Sequence, residues 1–548
     1  MNNEEGQAAG PSNEFIELEP GSEWRFELEA DENIAVRVHT ADPIYINSSE
    51  IPRSTWYPLH RYLKSALYGP SGGRLEVSAL PGSQYSSTTT SQPALVSLHL
   101  ALERQRILAR RHIAGSDAPA YDAPVTRGPR VMVLGPPNSG KTTVVKNLVN
   151  MALGSGMGWS PGVIGLDPSS PSNLIPGSLS LSTPVHPIPT HHLAHPLGSP
   201  PGSVAANTLS GDVSTMGWWY GHVEPSTKGM DLWMKVVDEM AGRWKERCDK
   251  DPNAMASGLI MDTSSAFAVP TLGTRKTEPK SRYSLVLHAA EAFEIETLLV
   301  IGNEKLSIDL SRLLPALNII RLPKSSGVVD RDEPLRETEH TQIIRSYFYG
   351  EPALPKEIDI LLGKMVHPDH SLSPYSFQIG WETLTILRVG EENAAPTSAL
   401  PLGSARTLSR TKLSRVDPAG PAHVVRLLNT VLAVVAINKG DWTGAERKRK
   451  VKEEVEEAVK VECVKEEGAE GGGEGEGGDE GEQGEGEDEE DEDEVPYKEE
   501  IGWREVLGFI VITAIDTQRK KYTILSPSPG KLPSTVAIAG SIEWVDSA

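Results

Sequence analysis

Near the start of the chain, polar and apolar residues alternate in short runs. Glu23-Trp24-Arg25-Phe26-Glu27-Leu28, Ile34-Ala35-Val36-Arg37-Val38 and Arg74-Leu75-Glu76-Val77 lie between Gly, Pro, Asp and Asn residues. A period of two broken by turn formers predicts half-buried strands. The spacing therefore predicts a β domain over 14–92, closed by a helix at Pro93–His112 and ending near 115, with a disordered segment at 1–13. After a Pro- and Gly-containing linker, the pattern changes. Val131-Met132-Val133-Leu134 is a compact apolar strand, and similar runs recur at Gly162–Leu166, Gly258–Met261, Thr297–Ile301 and Asn318–Leu322. Helical periodicity fills the intervals, notably Asp231–Cys248 and Arg282–Phe293. Strand–helix alternation predicts a parallel sheet covered on both faces, here a central α/β domain over 127–350. The remainder, 351–548, has strand-like runs at Thr383–Val389, Val431–Ile437, Gly508–Ile515 and Tyr522–Leu525. It reads as a third domain interrupted by an insert at about 451–496.

Composition alters this outline mainly at the insert. The formal net charge is −22, but Glu466 to Glu494 alone holds 17 acidic residues in 29 positions and no basic one. That tract lacks the apolar residues that would offset the entropy of ordering, so it is predicted to be disordered. Outside it the charge is about −5, which argues against a histone-like coat but not against a local basic site. The two cysteines, Cys248 and Cys463, cannot staple a chain of 548 residues, and a reducing compartment is expected. The N-terminus has no apolar signal core, and no run reaches the length of a membrane span, so neither secretion nor membrane contact is expected.

The candidate chemistry centres on Gly135-Pro136-Pro137-Asn138-Ser139-Gly140-Lys141-Thr142, an ungapped G-x-x-x-x-G-K-[ST] loop between a strand and an apolar helix. Glycines let the backbone wrap phosphate, and the amides from Asn138 to Thr143 point inward at the positive end of the helix. Lys141 would reach the β and γ phosphates of ATP, and Thr142 would ligate Mg²⁺. Two carboxylates end neighbouring strands on the same edge, Asp167 and Asp262. Either could face the metal; Asp262 has the better metal-site pattern, and Asp167 is the better base near an acceptor. Arg331, Arg336 and Arg345, with Lys324, follow the last core strand. They suit a lid over a transferring phosphoryl group, though a solvated helix face is the commoner origin of such a cluster. His191, His192 and His195 fit a solvated loop better than a metal centre. Trp218-Trp219-Tyr220 reads as core rather than as a base-stacking platform. Arg447-Lys448-Arg449-Lys450 suits either nuclear import or a basic flank to the acidic tract.

The loop and its strand, together with His288-Ala289-Ala290-Glu291-Ala292-Phe293-Glu294, resemble the eukaryotic Clp-type polynucleotide 5′-hydroxyl-kinase family. So do Leu322-Pro323-Lys324-Ser325-Ser326-Gly327-Val328-Val329, Tyr347-Phe348-Tyr349-Gly350 and Leu525-Ser526-Pro527-Ser528-Pro529. The resemblance implies an N-terminal β-sandwich, a P-loop kinase-like domain and a small C-terminal α/β domain. It implies ATP and Mg²⁺ as cofactors, with Glu23 and Lys64 helping to hold the adenine. It also implies a nuclear pre-mRNA 3′-end cleavage and polyadenylation subunit, of the cleavage factor IA kind. The implied partners are the cleavage-factor subunit that binds the RNA polymerase II tail and other 3′-end processing factors, with any RNA contact indirect. Active members carry a Gln shortly after the Asp matching Asp167 and a Thr-x-Gly-Trp clamp; here Pro168-Ser169-Ser170-Pro171 and Thr263-Ser264-Ser265-Ala266-Phe267 stand instead. The expectation is an ATP-holding scaffold that binds ATP–Mg²⁺ without turnover. The alternative is a 5′-hydroxyl RNA kinase using Lys141, Thr142, Asp167, Arg331 and Arg336.

Overall fold

The computed structural model describes residues 14–116, 125–171, 173–188, 190–193, 213–225, 229–270, 282–350, 353–363, 373–390, 411–417, 426–443 and 495–546. The expectations for 1–13, His195, Arg447–Lys450, Cys463 and the acidic tract lie outside these residues.

The alternating runs at the start form two antiparallel sheets. One orders the strands Glu14–Leu18, Gly73–Val77, Ile34–Val38 and Tyr57–Leu59; the other orders Ser49–Glu50, Tyr45–Ile46, Lys64–Gly69, Ser22–Glu27 and Ser83–Ser87. Trp24, Phe26, Val36, Leu67 and Leu75 point between them and are buried, which makes the pair a β-sandwich. The odd positions of Ser22–Glu27 turn outward. In register they place Glu23 beside Tyr68 and Ser87, Arg25 beside Ala66 and Tyr85, and Glu27 beside Lys64 and Ser83.

The helix Gln92–Ile113, begun by Pro93, leads into the central sheet. Its strand order is Val213–Trp219, Ser178–Pro184, Gly162–Leu166, Leu259–Thr263, Arg130–Leu134, Thr297–Ile301 and Asn318–Leu322. The last five are parallel, as their apolar runs require. Alternate residues serve opposite faces. Val131, Val133, Val163, Ile260 and Leu299 meet the helices Gln92–Ile113 and Lys141–Gly154, while Met132, Leu134, Ile164, Met261 and Leu298 meet Met230–Lys250, Ser284–Ala292 and Glu304–Leu313. The first two strands are an antiparallel extension that the sequence reading did not contain. The Trp218-Trp219-Tyr220 run ends that extension, fully buried, in agreement with the core reading.

The C-terminal sheet orders Tyr375–Gly380, Lys521–Ser526, Val506–Asp516, Thr430–Val435, Val536–Glu543, Thr385–Val389 and Leu413–Arg415. One pair in it is parallel, and the helix among its described residues, Lys356–Leu361, is short. A long helix, Glu333–Tyr349, joins this sheet to the central one. It is capped by Asp332, whose side chain accepts from the Leu335 amide at 3.1 Å, and stopped at Gly350. Its last turns bury Ile343, Ile344, Tyr347 and Phe348 in the C-terminal core.

Candidate functional site

The phosphate loop leaves the sheet at Leu134 and enters its helix at Lys141. Gly140 has φ +84°, left-handed backbone that glycine adopts without strain. A Cβ on Gly135 would stand 2.6 Å from Ser139 Oγ and 3.2 Å from the Ile301 carbonyl, so any larger residue there would push Ser139 aside and crowd the loop. Lys141 is buried and folds back, its Nζ donating to the Gly135 and Pro136 carbonyls at 3.3 Å each. The Thr143 carbonyl accepts from Asn147 at 2.8 Å, which anchors the first helical turn.

Of the two candidate carboxylates, Asp262 is the one that joins the loop. Thr142 Oγ1 donates to Asp262 Oδ2 at 2.6 Å. Burial pushes the Asp262 carboxyl up to about 6, with the nearby Asp167 charge adding to the effect and the Thr142 hydrogen bond opposing it. Asp262 Oδ1 and Ser139 Oγ are buried with no hydrogen-bond partner. Buried polar atoms are nearly always paired, so orphans at this point fit a cation and phosphate oxygens. Thr142 and Asp262 are thus a hard-oxygen donor pair suited to Mg²⁺, beside helix amides suited to the polyphosphate.

Asp167 is differently placed. Its Oδ1 accepts from the Ser169 amide at 3.1 Å and the Ser169 hydroxyl at 2.6 Å. His340, on the long helix, donates Nε2 to the Ser169 carbonyl at 2.5 Å. Beyond Asp262 the chain makes a short 3-10 turn, Ser265–Ala268, that buries Phe267 against Trp233 with centroids 5.5 Å apart. The Thr-x-Gly-Trp pattern counted from Thr263 would place its Trp at 266, where this protein has the half-buried Ala266, and the next residue, Phe267, belongs to the core.

The arginines divide. Arg336 Nη2 donates to Asn138 Oδ1 at 2.6 Å, so this residue lies on the phosphate loop and not on a solvated face. Arg331 forks onto both Glu339 oxygens at 2.9 Å, Lys324 faces Asp330 at 3.5 Å, and Arg345 lies over Tyr349. Glu23 is buried, paired with Arg25 at 3.0 Å and receiving the Thr90 hydroxyl on its other oxygen. Lys64 pairs with Glu27 at 2.7 Å, two rungs along the sheet from Glu23, so the two residues share a face without touching. The solvated-loop expectation for the histidines is corrected: His192 is buried and packs edge-on against His60, centroids 4.9 Å apart, because the loop lies against the β-sandwich. Among the described residues no group of three or more His, Cys, Asp and Glu is arranged to hold a metal, so the histidines form no metal centre there. The sequence reading missed Arg25, Ser169 and His340; only the alternation that puts Arg25 on the Glu23 face could have signalled any of them.

A strand–loop–helix phosphate site at the carboxyl edge of a parallel sheet defines a P-loop nucleotide-binding protein with a kinase-like central domain. Family models match along the chain: an N-terminal β-sandwich domain of polyadenylation factor at 17–109, an mRNA cleavage and polyadenylation factor CLP1 P-loop at 135–350, and a pre-mRNA cleavage complex II protein Clp1 domain at 372–460 and 488–546. The chain is 60% identical, over 97% of its length and 98% of the relative, to mRNA cleavage and polyadenylation factor CLP1 of Cryptococcus neoformans var. neoformans serotype D. It is 26% identical to Polyribonucleotide 5′-hydroxyl-kinase Clp1 of Xenopus laevis, over the whole of both chains. The fold matches a wild-type Clp1p structure in complex with Pcf11p at TM-score 0.68 and 20% identity, covering 98% of this chain and 99% of that one. A second Clp1p–Pcf11p structure, described as explaining ATP loss in a point mutant, matches at TM-score 0.67 and 20% identity, covering 98% and 100%. This chain belongs to the Clp1 family of mRNA cleavage and polyadenylation factors.

Proposed function

We propose that the protein is the ATP-holding scaffold of a nuclear pre-mRNA 3′-end cleavage and polyadenylation assembly. It binds ATP–Mg²⁺ through Gly135–Thr143, Asp262 and Glu23, keeps it without turnover, and docks the cleavage-factor subunit that also binds the RNA polymerase II tail. The observation that carries this reading is the contrast around one sheet edge. The phosphate loop leaves Asp262 Oδ1 and Ser139 Oγ unsatisfied, while on the acceptor side Ala266 stands at the clamp's Trp position and the Ser169 clasp holds Asp167. Without a stacking surface an acceptor base loses about 1–3 kcal/mol and, with it, the alignment on which proximity catalysis depends.

A retained ligand needs a route to the partner surface, and the helix Glu333–Tyr349 supplies one. Arg336 and His340 at one end reach the Asn138 side chain and the Ser169 carbonyl. At the other end Tyr347 Oη accepts the Phe509 amide at 2.9 Å, and Phe348 stacks on Trp544 at 5.7 Å. ATP that fixes the first end also fixes the C-terminal domain, so a partner docking there meets an ordered surface. Reciprocity then requires the partner to tighten ATP by the same factor. The test titrates a partner-subunit fragment against ATP-loaded protein and against stripped protein shown to be folded; the partner should bind the loaded form more tightly. Equal affinities would remove the coupling, and with it the reason for calling the ATP structural.

A second reading, a 5′-hydroxyl RNA kinase, draws on Arg336 lying against the phosphate loop and on relatives named for that activity. It requires the Ser169 clasp to release Asp167.

A further inference from the structure

We infer that Asn147 is a positioning residue of the phosphate loop, and that the β-sandwich acts through it, by the Ser48 hydroxyl, to set the affinity of the site for polyphosphate. The inference rests on the ATP reading above. Asn147 lies in the second turn of the helix Lys141–Gly154 and is 1% exposed. Its Nδ2 donates to the Thr143 carbonyl at 2.8 Å, and its Oδ1 accepts from Ser48 Oγ at 2.6 Å and from Gln92 Nε2 at 3.2 Å. Two donors on the oxygen side allow the amide one orientation, with its nitrogen on Thr143. A flipped amide would set donors against donors and oxygen against oxygen.

The hold on Thr143 matters because this helix does not cap itself. Its N-cap is Gly140, which has no side chain to offer, and its first turn carries no acidic residue. The opening amides, up to Thr143, are thus left free for an anion, while the turn that bears them has no side-chain cap against fraying. Asn147 steadies that turn from behind. Ser48 reaches it from another domain. With Asn47 it forms the two-residue turn between Tyr45–Ile46 and Ser49–Glu50, and both have left-handed backbone, φ +45° at Asn47 and +60° at Ser48. Such hairpin turns favour Asn and Gly, and serine adopts the conformation at a cost. The phosphate-loop helix grips both turn residues. Asn150 donates Nδ2 to the Asn47 carbonyl at 2.8 Å, three residues on from the Asn147 amide that takes the Ser48 hydroxyl. Asn47 Nδ2 donates in turn to Thr190 Oγ1 at 2.9 Å. A strained turn is held against the helix that opens the phosphate site.

Polyphosphate seated on the opening amides orders the same turn that the Asn147 amide holds, so ligand and hairpin favour one arrangement. Without the Ser48 hydroxyl, Asn147 Oδ1 keeps only the longer Gln92 bond, and the hold on Thr143 slackens. Positioning and stability separate at Ser48→Gly, which removes the hydroxyl but also relieves the left-handed backbone.

The test measures affinity for ATP and for inorganic tripolyphosphate, each with Mg²⁺, by calorimetry beside the melting temperature. Ser48→Gly should melt close to wild type yet bind both ligands about threefold more weakly, the scale of one net hydrogen bond. Asn147→Ala should weaken both by about tenfold. In that background Ser48→Gly should cost nothing further, since it acts through the amide. If Asn147→Ala does not fold, Ser48→Gly decides alone. Wild-type affinity in Ser48→Gly, or the same loss in both backgrounds, would make the contact merely structural and overturn the assignment. A loss for ATP with none for tripolyphosphate would overturn it too, because the opening amides serve the phosphates. Wild-type protein that binds neither ligand would instead overturn the nucleotide reading, and this inference with it.

Discussion

The proposed nucleotide and acceptor sides of the central domain are built on neighbouring strand ends, Asp262 one residue before the end of Leu259–Thr263 and Asp167 following Gly162–Leu166. They treat their polar atoms in opposite ways. On the nucleotide side Asp262 Oδ1 and Ser139 Oγ are buried and unpaired. On the acceptor side Asp167 Oδ1 accepts twice from Ser169, the Ser169 carbonyl is taken by His340, and Ser264 caps its own turn through the Ala266 amide. An orphaned buried acceptor costs about 1–3 kcal/mol, so a fold keeps one where a ligand repays it. A surface that satisfies itself has no such call on a substrate. The comparison teaches that two neighbouring strand ends of one sheet edge can treat their polar atoms oppositely, which is the contrast on which the proposed scaffold reading rests.

The strongest way to break the nucleotide side is Lys141→Ala. It removes the point charge that the loop motif supplies to the β and γ phosphates, and on the proposed reading ATP affinity should fall by about a hundredfold or more. Calorimetry that finds wild-type affinity would leave the loop without a role.

A second variant separates binding from stability. Asp262 has its carboxyl raised to about 6 from the ordinary 3.8, chiefly by burial. A raised carboxyl contributes stability that is fully present below the unfolded value and is lost as pH rises through the folded one. Nucleotide-free wild type should therefore lose stability between about pH 4 and pH 6. Asp262→Asn should escape that loss and melt a few degrees above wild type at pH 8, with the gap closing toward pH 4. The same variant should lose most of the Mg²⁺ dependence of ATP binding. Parallel melting curves across this pH range would contradict the assignment of Asp262 as the buried carboxylate of the metal pair.

How far the sequence foresaw this arrangement depends on how local each signal is. The phosphate loop was legible because its eight residues are contiguous, and the parallel strands because four of them are buried mainly apolar runs, with the edge strand Asn318–Leu322 carried by Ile319, Ile320 and Leu322 alone. The hairpin Ser178–Pro184 and Val213–Trp219 was missed, since Ser178, Ser180 and Ser182 alternate with Leu179 and Leu181 beside a Pro-rich stretch that looked like loop. Those serines are buried all the same. The clasp on Asp167, the Arg336–Asn138 bond and the Arg25–Ser326 bond join residues from 2 to 301 positions apart. The long-range pairs leave no periodicity to read, so only the folded chain reveals them.

A smaller effect probes the connection to the C-terminal domain. Tyr347→Phe deletes the acceptor of the Phe509 amide deep in the C-terminal core, far from the phosphates. ATP affinity should drop about fivefold through the linking helix, at the low end of the usual range of coupling energies. A change in melting temperature with no change in ATP affinity would confine Tyr347 to packing. Smallest of all should be the effect of Ser169→Ala on phosphoryl transfer. Freeing Asp167 restores neither the missing Gln nor the stacking Trp, so transfer to 5′-hydroxyl RNA should remain at background. Transfer above background would mean that the acceptor side is latched rather than lost.

The central claim is that ATP is kept and not spent. Its most direct measurement releases the nucleotide from freshly purified protein after incubation with ATP labelled on the γ-phosphate, Mg²⁺ and a 5′-hydroxyl RNA oligonucleotide. Mass analysis should find about one intact ATP per chain and no label on the RNA. Recovery of ADP with labelled RNA, abolished by Lys141→Ala, would contradict the account and establish the kinase in its place.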